Sequence, residues 1–118
     1  MSRIEFEILK PQAALDAFAQ TWQRTLAGDD LTPRIAFGSL RELFSAITEK
    51  RLELVRFIAA NEALNTRQLA QAVERDYKNV HTDVRELLEL GLLEKDARGR
   101  LTAPFDEIVI HASVRDAA

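Results

Sequence analysis

The chain has 118 residues, a formal net charge of −3, 47% hydrophobic and 30% charged side chains, and no cysteine. A chain of this length buries roughly 65% of its unfolded surface, enough for one core without metal or disulfide support. The missing cysteine excludes disulfides and thiolate chemistry, and charges interrupt every apolar stretch before it reaches about 18 residues, so a cytoplasmic, non-exported protein with no membrane association is expected.

In chain order, "RIEFEIL" alternates Ile4, Phe6 and Ile8 with charged residues, the period of a half-buried strand. Pro11 ends it. Leu15, Phe18, Trp22 and Leu26 then recur at spacings of three and four, which predicts a helix over 12–27 stopped at Gly28. A short extended segment around Ile35 and Phe37 follows. Ser39 with Glu42 is a capping-box pattern leading into a short helix with Leu40, Leu43, Phe44 and Ile47 on its apolar face. Thr48 caps the next helix, whose inward residues are expected to be Leu52, Val55, Ile58 and Ala59, with Leu54 and Phe57 widening the face. Thr66 is expected to cap a short helix with Leu69, Ala70 and Val73 inward.

After a turn at "ERDY", Asp76 caps the clearest amphipathic helix in the chain. Val80, Val84, Leu87 and Leu88 form its inner face and Gly91 ends it. "LLEKD", "ARG" and "RLTAP" read as a hairpin turning at Gly99, and a last strand runs from Ile108 to Ala112. This strand pairs with "IEFEI" of the same chain or of a partner.

The predicted fold is therefore α+β and mainly helical. Helix, short helix, turn, longer helix and hairpin is the order of a winged helix-turn-helix, in which the helix after the turn enters the major groove and the hairpin lies over flanking backbone. With the apolar residues inward, Lys78, Asn79, His81, Thr82 and Arg85 fall on the outer face of the first half of that helix. Arg85 suits guanine, Asn79 suits adenine or a phosphate, and Lys78 suits the backbone. His81 is a phosphate contact or a packing residue. Arg67 adds a cation ahead of the turn. Lys95, Arg98 and Arg100 make the hairpin basic, matching phosphate or minor-groove contact or a solubilised edge.

A negative net charge argues against a nucleic-acid partner, but only as a far-field property. Residues 67–100 carry seven basic side chains (67, 75, 78, 85, 95, 98, 100) against seven acidic ones (74, 76, 83, 86, 89, 94, 96). A neutral module predicts modest, salt-sensitive affinity and two copies per site. Asp83, away from Lys78, is expected to orient Arg67 or Arg75.

"LNTRQLAQAVERDYKNVHTDVRELLELGLLEKDARGRL" resembles MarR-like winged-helix regulators, and resembles more closely a family of small prokaryotic DNA-binding regulators carrying "RDYKNVH" and "LELGLLE". The resemblance extends to "APFDEIVIH" and covers roughly residues 34 to 112. It implies sequence-specific binding of double-stranded DNA in transcription regulation, as a repressor, with some relatives acting as the antitoxin that masks a toxin protein encoded nearby. The domains expected are 1–38, a strand and helix extension that dimerises through Ile4, Phe6, Leu15, Phe18 and Trp22, and 39–118, the DNA-binding domain with its C-terminal strand. With neither a glycine-rich phosphate loop nor a nucleophile–base motif, no enzyme activity and no cofactor are expected. His81 and His111 lack further ligands for a metal site.

Overall fold

The computed structural model describes residues 2–9 and 32–114. The chain divides into two compact units, one holding residues up to 45 with those from 107 onward, the other holding residues 46–106. In chain order the elements are β1 (Arg3–Ile8), β2 (Arg34–Phe37), α1 (Leu40–Ala46), α2 (Glu49–Ala60), α3 (Thr66–Ala72), α4 (Tyr77–Leu90), β3 (Glu94–Lys95), β4 (Leu101–Thr102) and β5 (Glu107–His111). The architecture is α+β. Among the described residues no helix is long and apolar enough to cross a membrane. The helix expected over 12–27, with Leu15, Phe18 and Trp22, lies outside the described residues.

In the first unit β1 pairs in parallel with β2 on one side and β5 on the other. The strand expected near the C-terminus thus joins β1 of the same chain, and the division falls after residues 45 and 106 rather than after 38. The expected half-burial of β1 is also exceeded: Ile4, Glu5 and Phe6 are all buried. On the charged face the burial is confined to the middle of this central strand, with Arg3 exposed and Glu7 half-buried. Ile4 and Phe6, expected at a dimer contact, are 3% and 0% exposed within the single chain, and the Phe6 ring meets Phe37 edge-on at 5.7 Å.

Glu5 is tolerated there because it is held twice. Arg34 Nε donates to Oε2 at 3.0 Å, and His111 Nε2 lies 3.4 Å from Oε1. Burial opposes its ionisation, but the His111 hydrogen bond and the Arg34 charge together outweigh it, holding the carboxyl below the ordinary glutamate range.

Helix α1 starts as its capping pattern predicts, with the Glu42 N–H donating to Ser39 Oγ at 3.2 Å, while the Glu42 carboxylate accepts from Gly38 N–H rather than from Ser39. Its apolar stripe is only partly covered. Leu43 is fully buried and Ile47, just past the helix, is 6% exposed, but Leu40 and Phe44 remain 44% and 60% exposed.

In the second unit Thr48 caps α2 by accepting from Arg51 N–H. Of the residues expected inward on α2, Ile58 is fully buried, Leu52 and Val55 are half-buried and Ala59 is exposed, while Leu54, expected only to widen the face, is buried with Ile58. Arg51 shares that face, a turn before Leu54. Asn65, not Thr66, caps α3: its Oδ1 accepts Gln68 N–H at 2.8 Å while Gln68 Oε1 accepts Asn65 N–H at 3.0 Å. Two backbone donors are satisfied instead of one, and Thr66 is left to be buried as the first helical residue.

Helix α4 buries Val80, Val84 and Leu87, begins at the Asp76 cap and ends at Gly91, all as predicted, although Leu88 is only half-buried. The β3–β4 hairpin continues to Leu64, whose carbonyl accepts Leu101 N–H at 2.8 Å, and Leu92, Leu93 and Leu101 pack inward.

Gly91 has φ 80°, and a Cβ added there would meet nothing within 4 Å, so substitution would meet conformational strain alone. Gly91→Ala should lower stability by about 1 kcal/mol in urea unfolding with the slope unchanged. An unaltered midpoint would contradict the left-handed cap.

Candidate nucleic-acid interface

Packing Val80, Val84 and Leu87 inward turns the opposite side of α4 to solvent. Tyr77, Lys78, Asn79, His81, Thr82 and Arg85 are all exposed there, over the first turns after the Asp76 cap. Asp76 Oδ2 accepts Asn79 N–H at 3.2 Å, and the Thr82 hydroxyl donates to the Lys78 carbonyl at 3.0 Å. The Thr82 side chain is therefore tied back to its own helix.

Arg67, at the start of α3, is drawn to this face. Its guanidinium carbon lies 4.7 Å from the centre of the Tyr77 ring, whose other neighbour is His81 at 5.8 Å between ring centres. Tyr77, 39% exposed, so links a cation of α3 to an imidazole of α4. Neither the stacking nor Tyr77 itself is apparent from sequence spacing, since the contact crosses the turn between the two helices.

Asp83 sits on the shoulder of α4 and joins three segments. It accepts from Arg51 Nε of α2 at 3.1 Å and from an Arg75 terminal nitrogen in the turn at 2.9 Å. Arg75 is one of its two expected partners; the other, Arg67, is on Tyr77. Arg51 also donates to the Ala46 carbonyl at 2.9 Å. The three charged side chains are only 15–23% exposed. Beside them lies an open depression of about 470 Å³, lined among others by Thr48, Glu49, Lys50, Arg75, Asn79 and Thr82. Arg51 is detectable in the sequence only afterwards: it lies three, four and seven residues before Leu54, Val55 and Ile58, on the buried face of α2.

At the hairpin, Asp96 organises the turn. Its Oδ1 accepts the Arg98 and Arg100 N–H groups, each at 2.9 Å, and its Oδ2 pairs with Arg100 Nε at 2.7 Å. Gly99 supplies the φ of 80° that closes a three-residue loop with a bulge. Arg100 is therefore occupied with its own turn. By contrast, the side chains of Lys78, Arg85, Lys95 and Arg98 make no hydrogen bond or ion pair among the described residues. Of the seven acids in 67–100, Asp76, Asp83 and Asp96 are consumed as a cap, an ion-pair centre and a turn. The charge left facing water is more basic than the count implies.

The Asp96 carboxyl is held below the ordinary aspartate range, first by the Arg100 N–H, against a smaller opposing effect of burial and with help from the Arg100 side chain and Arg98 N–H. A depressed pKa contributes stability that is present above the unfolded value of about 3.9 and lost as pH falls through the lower folded value. Amide protection in the hairpin should hold from neutrality to about pH 4 and fall below it. Asp96→Asn should weaken that protection and remove its pH dependence; an unchanged profile would rule out the turn's dependence on this carboxylate.

Removing Asp83 sets two poorly solvated cations against one another. Asp83→Ala should lower stability by about 2–3 kcal/mol, and Arg75→Gln by less, because Arg51 still neutralises the carboxylate. Equal losses in chemical denaturation would contradict this division.

Residues 46–110 match the model of the HVO_A0114 family, more than half of the chain, and the chain belongs to that family. No curated protein matches it.

Proposed function

We propose that this member of the HVO_A0114 family is a winged helix-turn-helix regulator of transcription, MarR-like in plan, that binds specific double-stranded DNA as a homodimer and represses by occupying its site. The observation that carries the reading is the division of α4, where one side is locked by Val80, Val84 and Leu87 while the first turns of the other present Lys78, Asn79, His81, Thr82 and Arg85. A helix fixed in rotation by its core, with donors over its first two turns, is what major-groove readout requires.

The roles follow from chemistry and from which groups are unoccupied. Arg85 reads guanine through two donors, and Asn79 reads adenine or holds a phosphate. Lys78 neutralises a phosphate. Arg67, stacked on Tyr77, offers its guanidinium edge beside the start of α4. Lys95 and Arg98 meet the flanking backbone from the hairpin. Arg100 acts indirectly, by keeping the wing folded through Asp96. A dimer sets two such helices on half-sites about 34 Å apart and doubles the cations in contact.

The test is a binding series on the DNA upstream of its own gene at increasing salt. Arg85→Ala should cost about 1–3 kcal/mol of discrimination, and Asn79→Ala a similar amount, with the thermal midpoint unchanged. Lys78→Ala should weaken binding to all sequences and reduce the salt slope by about one. Wild-type affinity in both Arg85→Ala and Asn79→Ala would defeat the reading.

A further inference from the structure

We propose that the outer edge of β5 pairs antiparallel with β5 of a second copy, joining two three-stranded sheets into one about a two-fold axis through Val109. This assigns a surface to the homodimer of the proposed function, but it does not depend on DNA binding.

Strand β5 ends the order β2-β1-β5, and among the described residues its only strand partner is β1. A sheet edge carries unpaired N–H and C=O groups that another strand can satisfy. The sequence of this edge is complementary to itself. Antiparallel pairing centred on Val109 sets Ile108 against Ile110 of the second copy and Glu107 against His111, so an apolar pair and a carboxylate–imidazole pair lie on each side of the axis. His111 approaches Glu5 through Nε2, and an imidazolium there has its Nδ1–H left to donate to the incoming Glu107.

Other registers do worse. A shift that changes the sum of paired residue numbers by one sets the apolar face of one sheet beside the polar face of the other. A shift by two removes both carboxylate–imidazole pairs. The apolar face also stops short at this edge: Phe6, in register with Ile110 on β1, is fully buried, whereas Ile110 itself is 44% exposed. In the dimer Ile108 of the second copy lies against it. The opposite edge lacks these features. Strand β2 has four residues and so no central one, it follows Pro33, and its Arg34 is held by Glu5.

The test uses the full chain without DNA. The native protein should sediment at twice its 13.3 kDa mass. In a chain without cysteine, Val109→Cys places one thiol at the axis, where opposed Cβ atoms are about 4.5–5.5 Å apart. It should form a covalent dimer under mild oxidation several times faster than Ala36→Cys on β2. Ile110→Lys, which replaces an exposed side chain, should yield a monomer with unchanged circular dichroism. A native protein monomeric at micromolar concentration, Val109→Cys linking no faster than Ala36→Cys, or a dimer surviving Ile110→Lys would each overturn the proposal. Loss of DNA binding with the dimer intact would count against the proposed function alone.

Discussion

The second unit depends on one carboxylate. Asp83 holds Arg51 of α2 and Arg75 of the turn at the same time, so the helix presenting Lys78, Asn79 and Arg85 is connected to both segments before it. The apolar contacts of Val80, Val84 and Leu87 supply most of the burial, but such contacts have little directional preference. Ion pairs with hydrogen-bond geometry do have one. The division of labour follows: the leucine and valine face holds α4 against its neighbours, and Asp83 determines how it is turned and how far it is slid.

The placement of charges in this unit also bears on the negative charge of the chain. Screening confines the influence of exposed charges to about 8–10 Å, so a partner approaching α4 senses what lies within that radius rather than the total of −3. Within the second unit, acids do structural work at short range. Asp76 starts α4, Asp83 centres the ion pairs, and Asp96 folds the hairpin turn. Cations doing comparable work are Arg51, Arg75 and Arg100. The residues left over on α4 and the hairpin are Lys78, Arg85, Lys95 and Arg98, and these are the ones with chemistry to spare for a polyanion.

Local signals made much of this legible in the sequence. Asp76, the valine and leucine spacing of α4, Gly91 and Gly99 each act within a few residues, and each stands where its pattern predicts. Two of the departures came from contacts between distant segments, in α2 and in β1. The face of α2 could not be assigned from hydropathy because Arg51 is inward, and what brings it inward is Asp83, 32 residues away. Asn65 and Thr66 are both competent caps, and Gln68, three residues after Asn65, decides between them. The alternation in β1 describes a strand with one wet face, yet Glu5 on that face is buried, held by Arg34 of β2 and His111 of β5. Leu40 and Phe44 carry the spacing of a buried stripe while remaining exposed, because periodicity specifies that a face is apolar and not that anything covers it.

Glu5 repeats the solution of Asp83 in the other unit. It too is a buried or half-buried acid with two partners remote in sequence, Arg34 and His111. A carboxylate accepts at two separate oxygens and carries a charge, so one acid can hold a partner on each of the two strands beside it. Its hold on His111 acts at the far end of β5, keeping that strand in register with β1 over five residues, from Glu107 beside Arg3 to His111 beside Glu7. Five residues is also the length at which Val109 has two neighbours on each side. A shorter β5 would lose Glu107 or His111 from the edge and with it the charge pairing that distinguishes one register from its alternatives. The acid inside the sheet thereby sets what the outside of the sheet can recognise.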